Sequence, residues 1–264
     1  MHGSLRTGIV GGSGWLGGAI AGSLLDAGLV EQQTLSLSYR KEQPQRFANA
    51  FWTTDNQALA DRSDIIILSV RPADWSGLAV DARGKLVISV MAGIRMSALS
   101  DRHNTGRVVR SLPNAGAEVG KSYTPWIASN EVDDDDRNIV RAIFDACGSQ
   151  DEIASETDID YLTGLSGSGP AFPALLASAM MRDAIAYGLP KEIARRAVTT
   201  VLAGAGRLIE HNEDCPDDIV RAFLDYRGTT AAAIEGMRAA GFDAAVANGL
   251  SAAFKKSVSM GDAS

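Results

Sequence analysis

A strand-like run, Arg6-Thr7-Gly8-Ile9-Val10, leads directly into Gly12-Ser13-Gly14-Trp15-Leu16-Gly17, and an apolar helical pattern follows to Leu25. This is a G-x-G-x-x-G turn set between a strand and a helix. Few other features restrict a fold as tightly, because the chain must bend sharply and then start a helix packed against the strand it has just left. In that setting Gly12 permits the turn, Gly14 lets a diphosphate approach the backbone, and Gly17 lets helix and strand touch. Diphosphate charge would meet the N–H groups of Trp15 and Leu16 and the Ser13 segment at a helix N-terminus. The spacing predicts a dinucleotide site.

The next strand says which dinucleotide. Leu35-Ser36-Leu37-Ser38 reads as strand two, followed by Tyr39-Arg40-Lys41. Sites for NAD carry Asp or Glu about 20 residues past the glycines, where it accepts the ribose hydroxyls. Here the tip is Ser38, with Arg40 and Lys41 beyond it. A hydroxyl and two cations suit a 2′-phosphate, which favours NADP(H). The competing reading makes Arg40 and Lys41 solvated loop charges.

The first half goes on alternating short β runs with helical patterns. Ala50-Phe51-Trp52, Ile65-Ile66-Ile67-Leu68-Ser69-Val70, Leu86-Val87-Ile88-Ser89-Val90 and Arg107-Val108-Val109-Arg110 read as strands. The unbroken apolar character of residues 65–70, repeated at 86–90, is that of parallel strands buried on both faces. Residues 123–128 read as an edge strand and 133–147 as a helix. The fold class is therefore α/β, a doubly wound sheet. From about residue 155 the character changes: residues 170–187, 191–211, 217–224, 229–239 and 243–258 read as helices rich in Ala, Leu and Met. We expect one domain over 1–154 and an all-helical one over 155–264. The extensive small-residue faces fit either a compact bundle or a subunit interface, and the interface reading is preferred.

Composition excludes several classes. The 264 residues carry a net charge of −7, which argues against a nucleic-acid partner. No apolar run approaches the ~18 residues of a membrane helix, and Met1-His2-Gly3-Ser4 is too short and polar for a signal peptide. Cys147 and Cys215 lack C-x-x-C spacing, and free thiols fit a cytoplasmic location. Asp133-Asp134-Asp135-Asp136 reads as the cap and first-turn acids of a helix rather than a metal cluster. His2, His103 and His211 show no ligand spacing and read as surface residues.

Several segments together resemble the pyrroline-5-carboxylate reductase family across nearly the whole chain. They are residues 12–17, Asn56, Ser69-Val70-Arg71-Pro72, Ala92-Gly93-Ile94, Arg110 with Pro113-Asn114, Ser166-Gly167-Ser168-Gly169-Pro170-Ala171, Gly188-Leu189-Pro190 and Gly228-Thr229-Thr230. The order and spacing carry the resemblance, and the Ser-Gly-Ser-Gly-Pro-Ala run is the most diagnostic part. It implies a Rossmann domain, a helical C-terminal domain that forms homodimers, often within larger rings, and reduction of a cyclic imino acid by NADP(H) as the last step of proline synthesis. Val70-Arg71-Pro72 would meet the nicotinamide ribose, and Met91, Ala92 and Gly93 would leave room for the coenzyme. The resemblance places Asn56 near the adenosine ribose, although helix capping is its alternative role. It places Ser168 facing the nicotinamide, where a purely structural turn is the alternative.

By the same resemblance Thr230 is the catalytic hydroxyl beside the imine nitrogen, and the backbone N–H groups of Gly228, Thr229 and Thr230 receive the substrate carboxylate. On the residues alone, Thr229 and Thr230 would only cap a helix. Glu156 matches an acidic position near the substrate, or is a first-turn acid. Departures from the family pattern fall on the substrate side. Asp225-Tyr226-Arg227-Gly228 stands where the family has Ser-Pro-Gly-Gly, Ala115-Gly116 replaces Thr-Pro, Arg71 replaces Lys, and Ser178 and Arg182 stand where acids are common. Arg227 would pair with the substrate carboxylate or narrow the pocket for another imine. Two further readings remain open here. A phosphogluconate-type hydroxyacid dehydrogenase is disfavoured by the lack of Lys in residues 170–187. A non-catalytic NADP-binding sensor is disfavoured by retained Ser168 and Thr230.

Overall fold

The continuous apolar runs form the centre of a sheet because alternate residues feed two separate cores. Ile9, Ile65, Ile67, Leu86 and Ile88 join one buried cluster, whereas Val10, Ile66, Leu68 and Val87 join another. A strand buried on one face only would alternate with polar residues; these do not because both faces are dry. Full burial of one such side chain stabilises by about 1.5–3 kcal/mol.

The computed structural model describes residues 5–212 and 215–261. Its strands are β1 (Thr7–Val10), β2 (Leu35–Ser38), β3 (Phe51–Thr53), β4 (Ile65–Leu68), β5 (Leu86–Ser89), β6 (Val108–Ser111), β7 (Ser122–Ala128) and β8 (Gly148–Glu152), in the order β3-β2-β1-β4-β5-β6-β7-β8. Neighbours are parallel except β6 and β7. Helices α1 (Trp15–Asp26) and α4 (Asp134–Cys147) cover the first cluster, and α2 (Asn56–Asp61) and α3 (Met96–His103) the second.

The chain divides into two compact units. Residues 1–168 with 252–264 form the first, and residues 169–251 the second. The break does not coincide with the boundary expected after residue 154. Helix α5 (Glu156–Leu162) stays with the sheet because Arg110 of β6 reaches both Glu156 and Asp160. The end of α10 (Phe242–Gly261) also belongs there. Ser257 donates to Asp160 at 2.9 Å, and Phe254 meets Tyr161 edge-on. The second unit holds α6 (Ala171–Ala186), α7 (Lys191–Asn212), α8 (Pro216–Asp225) and α9 (Thr229–Ala239). Large apolar side chains there lie open, including Leu175, Val201, Leu208 and Ile209.

Three expectations are corrected. β7 is not an edge strand, because β8 pairs beyond it. The Gly-Ser-Gln-Asp-Glu sequence of β8 lacks an apolar signature, since it lies at the sheet edge and is held by polar groups. Trp126 Nε1 donates to Gln150, and Arg137 and Arg141 pair with Glu152. His103 is buried rather than on the surface: its ring lies edge-on to Trp75 and Nδ1 meets the Val80 carbonyl at 2.9 Å. Burial lowers its pKa. The four aspartates take the expected cap and first-turn places of α4. Asp133 caps α4 by accepting its N–H, while the Asp136 carboxylate is buried against Arg107. Finally, Asn56 does not cap α2. Asp55 does, accepting from Gln57 and Ala58. His2 lies outside the described residues. No helix among the described residues is long and apolar enough to cross a membrane.

Candidate functional site

The glycine turn lies at the carboxyl end of β1, where an open α/β sheet binds its ligands. Gly11, which the fingerprint leaves out, makes the sharp bend. Its φ is +83°, and a Cβ there would lie 2.3 Å from the Ser69 carbonyl oxygen. The Gly11-Gly12 pair was the available signal. Gly12 is a packing position instead, since its Cβ would strike Leu37 at 2.7 Å. The close approaches of Gly14 and Gly17 are both to the Gly11 carbonyl, at 3.0 and 2.6 Å for an added Cβ. Gly14 precedes α1 with no side-chain cap, so the N–H groups of Trp15 and Leu16 start the helix without intrahelical acceptors. That is an anion site by construction.

Ser38 holds this turn from the next strand. Its hydroxyl accepts the Gly11 N–H at 2.9 Å, and its carbonyl accepts the Ser13 N–H at 3.1 Å. A cleft of about 1270 Å³ opens over these groups. Ser13, Gly14, Trp15 and Leu16 line one part of it, Ser38, Arg40 and Asn56 another, and Ser69, Val70, Arg71 and Pro72 a third. Gly12, Met91, Ala92 and Gly93 do not line it. Met91 is buried, and Gly93 packs on Met260 of α10.

One cleft residue escaped the sequence reading. Asp74 accepts from Arg40 at 2.7 Å and from Arg71 at 3.1 Å. The Arg40 guanidinium holds the Asp74 carboxyl below the usual carboxylate range. Nothing in a lone aspartate within Pro72–Gly77 signals this bridge.

The remaining positions of the first unit form a buried polar cluster. Arg110 donates to Glu156 at 2.9 Å and to Asp160 at 2.6 Å, and Glu156 also accepts the Met96 N–H at 3.1 Å. Glu156 is thus a first-turn acid of α5 with its carboxylate already engaged. The Ser-Gly-Ser-Gly stretch carries a π-helical turn at Thr163–Gly167, a form that concentrates at functional sites. Ser168 closes that turn by donating its N–H and hydroxyl to the Thr163 carbonyl. Asn114 Nδ2 donates to the Ser166 carbonyl at 3.0 Å.

In the second unit Gly228 is the N-cap of α9 and has no side chain with which to cap it. Thr229 and Thr230 are its first two helical residues, exposed, with the uncapped N–H groups of the first turn around them. Arg227 has φ +49°. An L-residue pays about 1–2 kcal/mol in this left-handed region. The Gly of the family pattern avoids that cost, offset in part by its own greater freedom when unfolded. Arg227→Gly is therefore expected to raise stability by about 0.5–1 kcal/mol, read as a higher denaturant midpoint. A lowered midpoint would contradict it.

A pyrroline-5-carboxylate reductase from Synechocystis sp. is 30% identical over 98% of this chain and 99% of its own length. The chain belongs to the pyrroline-5-carboxylate reductase family. The pyrroline-5-carboxylate reductase dimerisation family matches residues 156–260, and the family described as NADP oxidoreductase coenzyme F420-dependent matches residues 6–93. Among solved structures, the Plasmodium falciparum pyrroline carboxylate reductase with NADP bound superposes with a TM-score of 0.84 at 24% identity, covering 97% of this chain and 98% of that one. The Streptococcus pyogenes 1-pyrroline-5-carboxylate reductase does so with a TM-score of 0.82 at 26% identity, covering 96% and 98%. Membership of the pyrroline-5-carboxylate reductase family accounts for the Rossmann-type sheet and for the helical C-terminal segment alike.

Proposed function

We propose that this chain reduces 1-pyrroline-5-carboxylate to proline with NADPH, the last step of proline synthesis. The observation that carries the reading is 30% identity, over nearly the full length of both chains, to a reductase of that name. The glycine turn, the uncapped start of α1 and the cleft over Ser38 fit a dinucleotide. Bound there, the reduced nicotinamide supplies a hydride to the carbon of the C=N bond. Residues 1–154 then serve as the coenzyme-binding part, and 155–264 as the dimerisation and substrate part.

The chain's own groups do the rest. Ser13, Gly14, Trp15 and Leu16 receive diphosphate; Ser38 and Arg40 receive the 2′-phosphate; Asn56 lies at the adenosine ribose. Ser69, Val70, Arg71 and Pro72 flank the nicotinamide ribose, with Met91, Ala92 and Gly93 behind it. Ser168 faces the nicotinamide. Gly12 packs the turn against Leu37. The uncapped N–H groups at Gly228, Thr229 and Thr230 hold the substrate carboxylate. The Thr230 hydroxyl hydrogen-bonds the ring nitrogen, which gains one proton as the carbon gains hydride. Holding the reacting atoms together and excluding water supply most of the rate.

Open apolar faces on α6 and α7, together with the dimerisation-family match, support a homodimer through the C-terminal helices. Unpaired Cys147 and Cys215 support a reducing, cytoplasmic setting. The assay is NADPH oxidation by the purified protein with pyrroline-5-carboxylate; no turnover refutes the reading. Arg227→Gly in the same assay, run across several cyclic imino acids, reports on substrate choice. An unchanged profile removes Arg227 from specificity.

Coenzyme preference tests the cation argument. The Arg40–Asp74 pair is exposed and worth at most about 1 kcal/mol. A charge-assisted bond to a phosphate contributes about 1.5–3 kcal/mol, so a 2′-phosphate displaces Asp74 from Arg40. Arg40→Asp is expected to cut the NADPH-over-NADH affinity ratio by about tenfold or more. Equal affinities in the parent protein would overturn this.

A further inference from the structure

Arg46 lies between β2 and β3, outside the glycine fingerprint and apart from Arg40 and Lys41. Its Nη2 donates to the carbonyl oxygens of Gly14 at 3.2 Å and Gly12 at 3.4 Å. Both carbonyls belong to the turn that would receive the coenzyme diphosphate. The Gly14 carbonyl also accepts the Gly18 N–H at 2.9 Å, so both its lone pairs are occupied.

Independent features deliver the guanidinium to this place. Gly18 is not a fingerprint glycine, yet a Cβ on it would lie 1.6 Å from Arg46 Nη2 and 2.2 Å from Cζ. One helical turn later, a Cβ on Gly22 would touch the Phe47 ring at 3.9 Å. The face of α1 is thus cut away where Arg46 and Phe47 lie. Phe47 has φ +56°, an unusual backbone for an aromatic residue. Its carbonyl accepts from Trp52 Nε1 at 3.2 Å and from Ala50 N–H at 3.0 Å, which hold the strained bend closed. Strain kept in place by surrounding bonds collects at functional sites.

We infer that Arg46 is a positioning residue for the coenzyme diphosphate. It fixes the Gly12 and Gly14 carbonyls and sets a positive charge beside the N-terminus of α1. The inference rests on the coenzyme reading above and adds a cation that serves the diphosphate common to NADPH and NADH. Arg40, in contrast, serves only the 2′-phosphate.

The test is calorimetric affinity of the full chain for NADPH, NADH and adenosine 2′-monophosphate, which has no diphosphate. Arg46→Met is expected to weaken NADPH and NADH by the same factor, about five- to twentyfold, and adenosine 2′-monophosphate by less than about twofold. Arg46→Lys, which keeps the charge, is expected to recover part of the loss. Unchanged affinity for both dinucleotides overturns the role of Arg46, and so does an equal loss for all three ligands, the mark of a loosened fold. Should Arg46→Met not fold, Gly18→Ala displaces the guanidinium while retaining the residue. It is expected to show the same selective loss, and parental affinities in it overturn the role. A parent protein that binds neither dinucleotide refutes the coenzyme reading and this inference with it.

Discussion

Thr230→Val is expected to lower kcat/KM for pyrroline-5-carboxylate about a hundredfold while leaving the NADPH dissociation constant within about twofold. The substitution keeps the shape and β-branching of threonine and removes only the hydroxyl. Because Gly228, not Thr230, stands at the cap of α9, no capping bond is lost with it. Thr230 is also exposed, and substitutions at such places change stability by only about 0.5 kcal/mol or less. A structural role is therefore separable from a chemical one. A positioned proton donor or acceptor contributes about 10²–10⁴ in rate. A loss of less than about threefold in steady-state NADPH oxidation would remove Thr230 from the chemistry.

Asp160→Ala is expected to destabilise the protein by about 3–5 kcal/mol. Asp160 is 3% exposed, and its carboxylate accepts from Arg110 Nη2 and the Ser257 hydroxyl. Arg110 is 1% exposed, and its Nε has no partner among the described groups. Losing Asp160 leaves a buried guanidinium with Glu156 as its remaining carboxylate, which is more costly than losing a contact. For a chain of this size the melting midpoint is expected to fall on the order of 10 °C. Replacing both partners, Arg110→Met with Asp160→Leu, is expected to cost less than Asp160→Ala alone, since no buried guanidinium is stranded and Glu156, which loses Arg110, is partly exposed and keeps the Met96 N–H. Equilibrium unfolding measures each variant. A single-variant loss below about 1 kcal/mol would show that the cluster is hydrated or able to relax.

The same cluster explains why the unit boundary was not legible. Arg110, the Glu156 and Asp160 pair of α5, and Ser257 come from three distant stretches of sequence, and together they tie α5 and the end of α10 to the sheet. Asp74 escaped notice for the same reason: pairing with Arg40 and Arg71 needs the cleft to exist first. His103 looked like a surface residue because a polar residue on a short helix carries no sign of the Trp75 and Val80 groups that bury it.

What the sequence determined by itself is whatever physical chemistry writes locally. A run apolar at every position must be dry on both faces, so the parallel strands were readable. A glycine turn between strand and helix must present N–H groups, so the uncapped start of α1 was readable, as was the order of the helices. Only the tertiary structure decided which glycine bends the turn, that β8 covers β7, that Arg227 stands in a glycine's conformation, and that Arg46 reaches back to Gly12 and Gly14. Each of those depends on groups brought together from distant parts of the chain, and such pairings leave no period or spacing in the sequence.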